Sequence, residues 1–222
     1  MKKIILHKKT IFSIFAIGAI FLFALCAMTY YNANKIDDTE IPLYYSRGSY
    51  VFDVYNSEER AGHADYIFIG KIDKVIETEY KYPIMIETEE RGKIVGKEVK
   101  EPFTNYSITV LENMKGNLIQ YQSIPILKEG GISQNKRYYS VLEDDFLPEV
   151  GKVYIFYAYA QPDGSLLVTG PGSNIEIKST MNTDLDSIQN TTEYQDTLNA
   201  YKNQKISTRE RFVSDYDSNN EL

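Results

Sequence analysis

Residues 151–170 read Gly-Lys-Val-Tyr-Ile-Phe-Tyr-Ala-Tyr-Ala-Gln-Pro-Asp-Gly-Ser-Leu-Leu-Val-Thr-Gly. Successive side chains of a β-strand point to opposite sides, and residues 153–160 would place apolar or aromatic groups on both. Pro162, Asp163 and Gly164 then supply a turn, because proline presets φ, aspartate bonds its own backbone and glycine tolerates positive φ. The stretch therefore predicts a β-hairpin whose first strand is buried on both faces.

Strand signals dominate the chain before this hairpin. The sequence predicts a long strand over 66–76, bent near Gly70, and further strands over 84–86, 94–99, 103–112 and 123–127. Residues 138–142 are expected to form either one more strand or a covering loop. An acidic loop over 87–92 is expected between the strands over 84–86 and 94–99. Five or six strands at such spacings are typical of an all-β barrel.

Two helices are expected to flank the strands. Ser57 resembles a serine cap with acidic residues in the following turn, which predicts a short helix ending near Asp65. Tyr194, Leu198 and Tyr201 share one helical face, which predicts a second helix ending near Gln204. A loose tail is expected from there to the last residue.

The N-terminus indicates export. Four lysines precede an uncharged run at residues 11–29, which is long enough to cross a bilayer as a helix. The basic flank predicts a cytoplasmic N-terminus, with the rest of the chain outside. Small residues near Ala27 also allow cleavage. The expected location is therefore the cell membrane, as a single-pass protein with its domain outside, or secreted if the leader is cut.

Composition limits the possible partners and chemistry. The exported part carries 20 of the 24 basic residues and all 31 acidic ones, a net charge of −11. Nucleic acid requires a basic surface and is not expected as a partner. The single cysteine, Cys26, lies in the leader, so the exported part can form neither an intramolecular disulfide nor a thiolate metal site. We expect no cofactor and no metal.

Three segments together suggest a family: Ala64-Asp65-Tyr66-Ile67-Phe68-Ile69-Gly70-Lys71-Ile72, Tyr106-Ser107-Ile108-Thr109-Val110-Leu111-Glu112-Asn113-Met114-Lys115-Gly116, and the 151–170 hairpin. They resemble the netrin-like module, best known from the N-terminal domains of tissue inhibitors of metalloproteinases. The resemblance covers about residues 58–177. It implies an OB-fold, a five-stranded barrel with flanking helices. The expected fold class is thus mainly β, an OB-fold-like barrel of five to six strands, with an N-terminal transmembrane helix and a C-terminal helix.

The sequence also departs from this family. Those inhibitors chelate the protease zinc through a free N-terminal cysteine, whose equivalent place here falls near Tyr50. That position holds no cysteine, and the chain continues upstream of it. Inhibition by the family mechanism is therefore not expected.

The expected organisation has four parts: a signal anchor or signal peptide over 1–30, a tether and aromatic segment over 31–57, the barrel domain over 58–178, and a C-terminal helix with a flexible tail over 179–222. The aromatic segment is too apolar for a free linker, so we expect it to pack on the barrel. Tyrosine is unusually frequent, with 19 residues against no tryptophan. Tyrosine rings suit partner surfaces because they give contact area at low entropy cost. The candidate partner-binding residues are Tyr44, Tyr45, Tyr50, Tyr106, Tyr138 and Tyr139.

Candidate catalytic groups are few. His63 is the one histidine in the exported part and is expected at the surface or in a cap. Acidic clusters at 87–90 and 143–145 could serve a carboxylate-dependent hydrolase, although neither has the spacing of a calcium loop. The leading hypothesis is a non-catalytic extracellular module for a protein or cell-envelope partner. The alternatives are a protease inhibitor working without an N-terminal cysteine, the hydrolase, and a structural or assembly role that uses the helix at Tyr194 to Tyr201 as a contact.

Overall fold

The computed structural model describes residues 41–178 and 184–220. In these residues the protein is mainly β. The strands are β1 (Leu43–Ser46), β2 (Tyr66–Glu90), β3 (Lys93–Lys115), β4 (Ser123–Glu129), β5 (Gly131–Ile132), β6 (Tyr139–Leu142), β7 (Val153–Ala160), β8 (Leu166–Val168) and β9 (Asn174–Glu176). The helices are α1 (Ser57–His63), α2 (Leu185–Gln189) and α3 (Thr192–Lys202).

Six strands form the main sheet, in the order β2-β3-β4-β8-β7-β9, and β2 also pairs with β7. All its pairings are antiparallel except that of β4 with β8. The predicted 151–170 hairpin is confirmed: β7 and β8 pair at Tyr159 and Leu167, and Gly164 in the turn has a φ of 77°. The predicted bend is also present, since the register of β2 against β3 shifts between Ile69 and Gly70.

The predicted acidic loop over 87–92 is wrong. β2 and β3 pair continuously from Ile84 with Val99 to Glu90 with Lys93, so the predicted strands over 84–86 and 94–99 are parts of these two longer strands. The turn consists of Arg91 and Gly92, with φ of 52° and 76°. Two successive positive φ values suit the right-handed twist of a tight hairpin, which allows the acidic residues to remain in the strand.

A smaller sheet holds the N-terminal aromatic segment on the domain. Its order is β1-β6-β5, with β1 parallel to β6 from Leu43 beside Tyr139 to Ser46 beside Leu142. The predicted packing of this segment is thereby confirmed for residues 43–46. Of the two expectations for residues 138–142, the strand is confirmed, as β6.

The core lies on both sides of β7, as the sequence predicts. Tyr154, Phe156 and Ala158 belong to a cluster shared with β3 and β4. Ile155 and Tyr157 belong to a second cluster, which includes residues of α1, α2 and α3. Burying a large apolar side chain stabilises a fold by about 1.5 to 3 kcal/mol, so this strand is a principal source of stability.

Both predicted helices are present, with differences at their ends. The cap of α1 is Asn56 rather than Ser57, because the Asn56 side chain accepts from the backbone N–H of Glu58 and Glu59. α3 ends at Lys202, close to the predicted end near Gln204.

The prediction of a loose C-terminal tail is wrong for residues 205–220. The backbone N–H of Asp215 donates to Gly164 at 3.0 Å, and that of Ile119 donates to Tyr216 at 2.9 Å. Phe212 and Tyr216 pack against the first core cluster. We call residues 205–220 the C-terminal strap.

The predicted transmembrane segment over 11–29 and the predicted leader over 1–30 lie outside the described residues, as does most of the predicted tether. Among the residues that are described, no helix combines the length and apolar character needed to cross a membrane.

Candidate functional site

A groove of about 390 Å³ lies between the small sheet and the strands β3 and β4. Residues of β1, β6 and the turn before β6 form one wall, and residues 99–102 of β3 together with the end of β4 form the other. Its lining residues are Tyr44, Ser46, Val99, Lys100, Glu101, Pro102, Glu129, Gly130, Ser133, Tyr138, Ser140, Val141 and Leu142. The groove thus combines apolar walls with a few charged groups, which is typical of binding sites.

Two glycines open the groove by turning the chain away from β3. β4 follows β3 as far as Thr104 opposite Lys128, and the Gly130 N–H still donates to Pro102 at 2.9 Å. Gly130 and Gly131 then have φ of 108° and 156°. A Cβ on Gly131 would lie 2.5 Å from the Thr104 hydroxyl oxygen, so this close approach requires glycine.

Two of the candidate tyrosines meet at the groove. The rings of Tyr44 and Tyr138 pack edge to face, with centroids 5.0 Å apart. Tyr44 is 58% exposed although it is in contact with Tyr138. Tyr45 and Tyr139 are also exposed, on the small sheet, but neither lines the groove.

The other two candidates lie elsewhere. Tyr50 is 37% exposed and lies near Glu129 and Asp145, and burial together with these carboxylates raises its pKa to about 12. Tyr106 is 2% exposed in the first core cluster. Because that ring packs inside the domain, it is not available to a partner in this conformation.

Two carboxylates face the groove without a basic partner. Burial raises the pKa of Glu101, and the negative charge of Glu129 raises it further. Glu129 accepts a hydrogen bond from the Thr169 hydroxyl. Among the described residues, neither carboxylate forms an ion pair. Each carboxylate would therefore be stabilised by a cation in the groove.

Lys128, the residue before Glu129, belongs to a buried ion pair. Lys128 on β4 and Asp145 have side chains that are 0% and 2% exposed, and they form an ion pair in hydrogen-bond contact. The Lys128 ammonium also donates to the Ser173 hydroxyl at 3.0 Å. Burial lowers the pKa of Lys128 and raises that of Asp145, and the attraction between the two charges offsets part of both shifts.

The acidic cluster at 143–145 does not converge on one point. The Glu143 carboxylate is 3.4 Å from Arg47, Asp144 accepts from the Tyr55 hydroxyl at 2.8 Å, and Asp145 faces Lys128. In the described part of the chain, no three or more histidine, cysteine or acidic side chains are grouped so that they could hold a metal ion.

The histidine of α1 packs against an aromatic ring. The His63 ring stacks on Phe52 with centroids 3.9 Å apart, and its pKa is lowered by burial and by Arg209 and Arg211. These two arginines of the C-terminal strap both bind Asp65, at 2.5 and 2.8 Å. The cluster therefore joins the strap to the junction of α1 and β2.

The sequence did not single out Glu101 or Glu129. Glu101 lies within β3 between Lys100 and Pro102, whereas Glu129 is the last residue of β4, and no local pattern pairs them. The Gly130-Gly131 break was the one available signal, since it marks where β4 leaves β3.

No model of a known protein family matches this chain, and no curated protein is significantly similar to it.

Proposed function

We propose that the protein is a non-catalytic binding module, built on an OB-like barrel outside the cell membrane, that engages a protein or cell-envelope partner through the groove. The observation that carries the proposal is the edge-to-face pair formed on the groove wall by the exposed Tyr44 and the half-buried Tyr138. Exposed aromatic rings beside a concave apolar surface are typical of residues that contribute most to binding energy.

The strand pairings support the OB-like part of the proposal. β2 pairs with β3, β3 with β4, β4 with β8, β8 with β7, and β7 with β2 again, so each of these five strands has a paired strand on both sides. An OB-fold is a five-stranded Greek-key barrel. The resemblance to the netrin-like module gives the same expectation, and the three segments that carry it lie in β2, β3 and the β7–β8 hairpin.

OB barrels bind through a sheet face and adjoining loops. The groove is formed in part by residues 99–102 of β3 and by the loop at Gly130. The turn at Gln161 is joined to the C-terminal strap, because the Gly164 carbonyl accepts from the backbone N–H of Asp215 and from the Ser214 hydroxyl.

Site-specific photocrosslinking of the full chain in its native membranes tests this proposal. A photoreactive phenylalanine analogue replaces Tyr44, Tyr138 or, as a control, Tyr121, which is 67% exposed and does not line the groove. We expect the same crosslinked partner from the two groove positions and none from the control. Failure of both groove positions to capture any partner would overturn the proposal.

The same purified chain discriminates the alternatives. Inhibition of a secreted protease that is lost in Tyr44→Ala would favour an inhibitor over a general binding module. Turnover of envelope glycans or peptides that is lost in Glu101→Gln would favour a carboxylate-dependent hydrolase.

A further inference from the structure

We propose that the occupant of the groove is an extended peptide segment of the partner, which adds as a strand beside β3 and places a basic side chain between Glu101 and Glu129. This inference rests on the proposed binding function and names the chemistry of the partner.

The free edge of β3 is where β4 would continue if it did not turn away. β4 pairs with β3 down to Thr104, and its last hydrogen bond joins Gly130 to Pro102. On that side, no strand in the described part of the chain pairs with residues 97–101. Five strand residues span about 17 Å. Unpaired backbone groups along such an edge are a ready template for an added strand.

The groove walls suit the side chains of a strand in this position. Val99 and Pro102 lie on one side, and Tyr44, Tyr138 and Val141 lie on the other. Alternate residues of an added strand would face these apolar groups, because strand side chains alternate between two sides. Strand addition gives affinity through the main chain and specificity through such side-chain contacts.

The charges define which side chain is favoured. Glu101 and Glu129 line the groove, and the repulsion between them contributes to the raised pKa of Glu101. Lys100 also lines the groove but forms no ion pair in the described residues. A lysine or arginine of the peptide would relieve the repulsion between the two carboxylates, whereas an acidic residue would increase it.

A displayed library of random twelve-residue peptides, selected on the full chain in detergent, tests the inference. We expect selected sequences to share one lysine or arginine flanked by alternating apolar residues. Replacing that basic residue with norleucine should weaken binding about tenfold, as measured by fluorescence anisotropy. Methylating those backbone nitrogens of the peptide that face the edge of β3 should weaken binding at least as much, because each methyl group removes a main-chain hydrogen-bond donor.

Protein variants complete the test. Glu101→Gln should weaken the basic peptide about tenfold and leave the norleucine peptide unchanged. The matched control is Glu210→Gln, an exposed position on the C-terminal strap, which should change neither affinity. Thermal melting verifies that each variant is folded.

Three results would overturn the inference: no selected peptides, selected peptides without a shared basic residue, or affinity that is insensitive to backbone methylation. These are distinguishable from failure of the proposed function. A partner crosslinked at Tyr44 and Tyr138 together with any of them would keep the binding module and reject the strand-adding basic peptide.

Discussion

Removing one member of the buried Lys128–Asp145 pair should destabilise the domain severely. Both side chains are almost fully buried, and the Lys128 ammonium has Asp145 and Ser173 as its partners. At about 3 Å and an effective dielectric constant near 20, two unit charges attract by about 5 kcal/mol. Asp145→Asn loses this attraction while the buried ammonium keeps its desolvation cost.

The expected cost of Asp145→Asn is about 3 to 5 kcal/mol in the free energy of unfolding. That is a large part of the about 5 to 15 kcal/mol that stabilises a typical domain. Replacing both charges, as in Lys128→Met with Asp145→Leu, should by contrast be neutral or stabilising, because the desolvation cost is removed together with the attraction. The directions of the two pKa shifts agree with this, since burial opposes the charged form of both groups.

Urea denaturation of the full chain, followed by circular dichroism, measures these changes. The control is Glu149→Gln, which removes a partner of the exposed Lys152 and should leave the midpoint unchanged. In Asp145→Asn, stability should rise as pH rises toward 10.5, because the unfolded lysine binds more protons in that range than the buried one. A cost below about 1 kcal/mol for Asp145→Asn would refute the reasoning. So would a Lys128→Met, Asp145→Leu double variant that loses as much stability as its two single variants added together.

Three further predictions concern the rest of the domain. Asp65→Asn removes the carboxylate that Arg209 and Arg211 share. It should lower the free energy of unfolding, measured by urea titration, by about 2 to 4 kcal/mol. An unchanged midpoint would contradict a stabilising role of the C-terminal strap. Lys115, whose pKa is lowered to about 8 by burial and by Arg211, should make stability rise between pH 8 and 10.5, and Lys115→Met should remove that slope in melting curves. Gly131→Ala should displace the end of β4 and cost about 1 to 3 kcal/mol, visible as a lower melting temperature, whereas wild-type melting would contradict the predicted clash with β3.

The hairpin at 151–170 could be predicted because its signals are local. Continuous apolar strand residues followed by Pro162, Asp163 and Gly164 specify both the turn and the burial of β7. Capping is also local, yet the sequence pattern favours Ser57, whereas Asn56 has the backbone conformation and side-chain bonds of the cap. Two adjacent residues of similar capping strength are not separated by propensity alone.

The groove could not be predicted, because it depends on contacts between distant segments. Tyr44 reaches Tyr138 across 94 positions through the parallel pairing of β1 with β6. The approach of Glu101 to Glu129 follows from where β4 leaves β3, and no pattern within either strand encodes it. The prediction of an acidic loop is wrong for a related reason. The charge of residues 87–90 favours a loop, but the Arg91-Gly92 turn keeps these residues in register with β3.

The C-terminal strap has a consequence for how the chain is synthesised. Tyr66 donates to Asp217 across 151 positions, and Arg209 and Arg211 reach Asp65 across 144 and 146. Contacts between such distant residues form slowly, because the intervening chain must be ordered first. While residues 205–220 are still being made, the start of β2 lacks its ionic partners and part of the first core cluster lacks its cover. During translation the domain must therefore persist with its β-sheet incompletely covered, a stage at which chaperones or proteases would meet it.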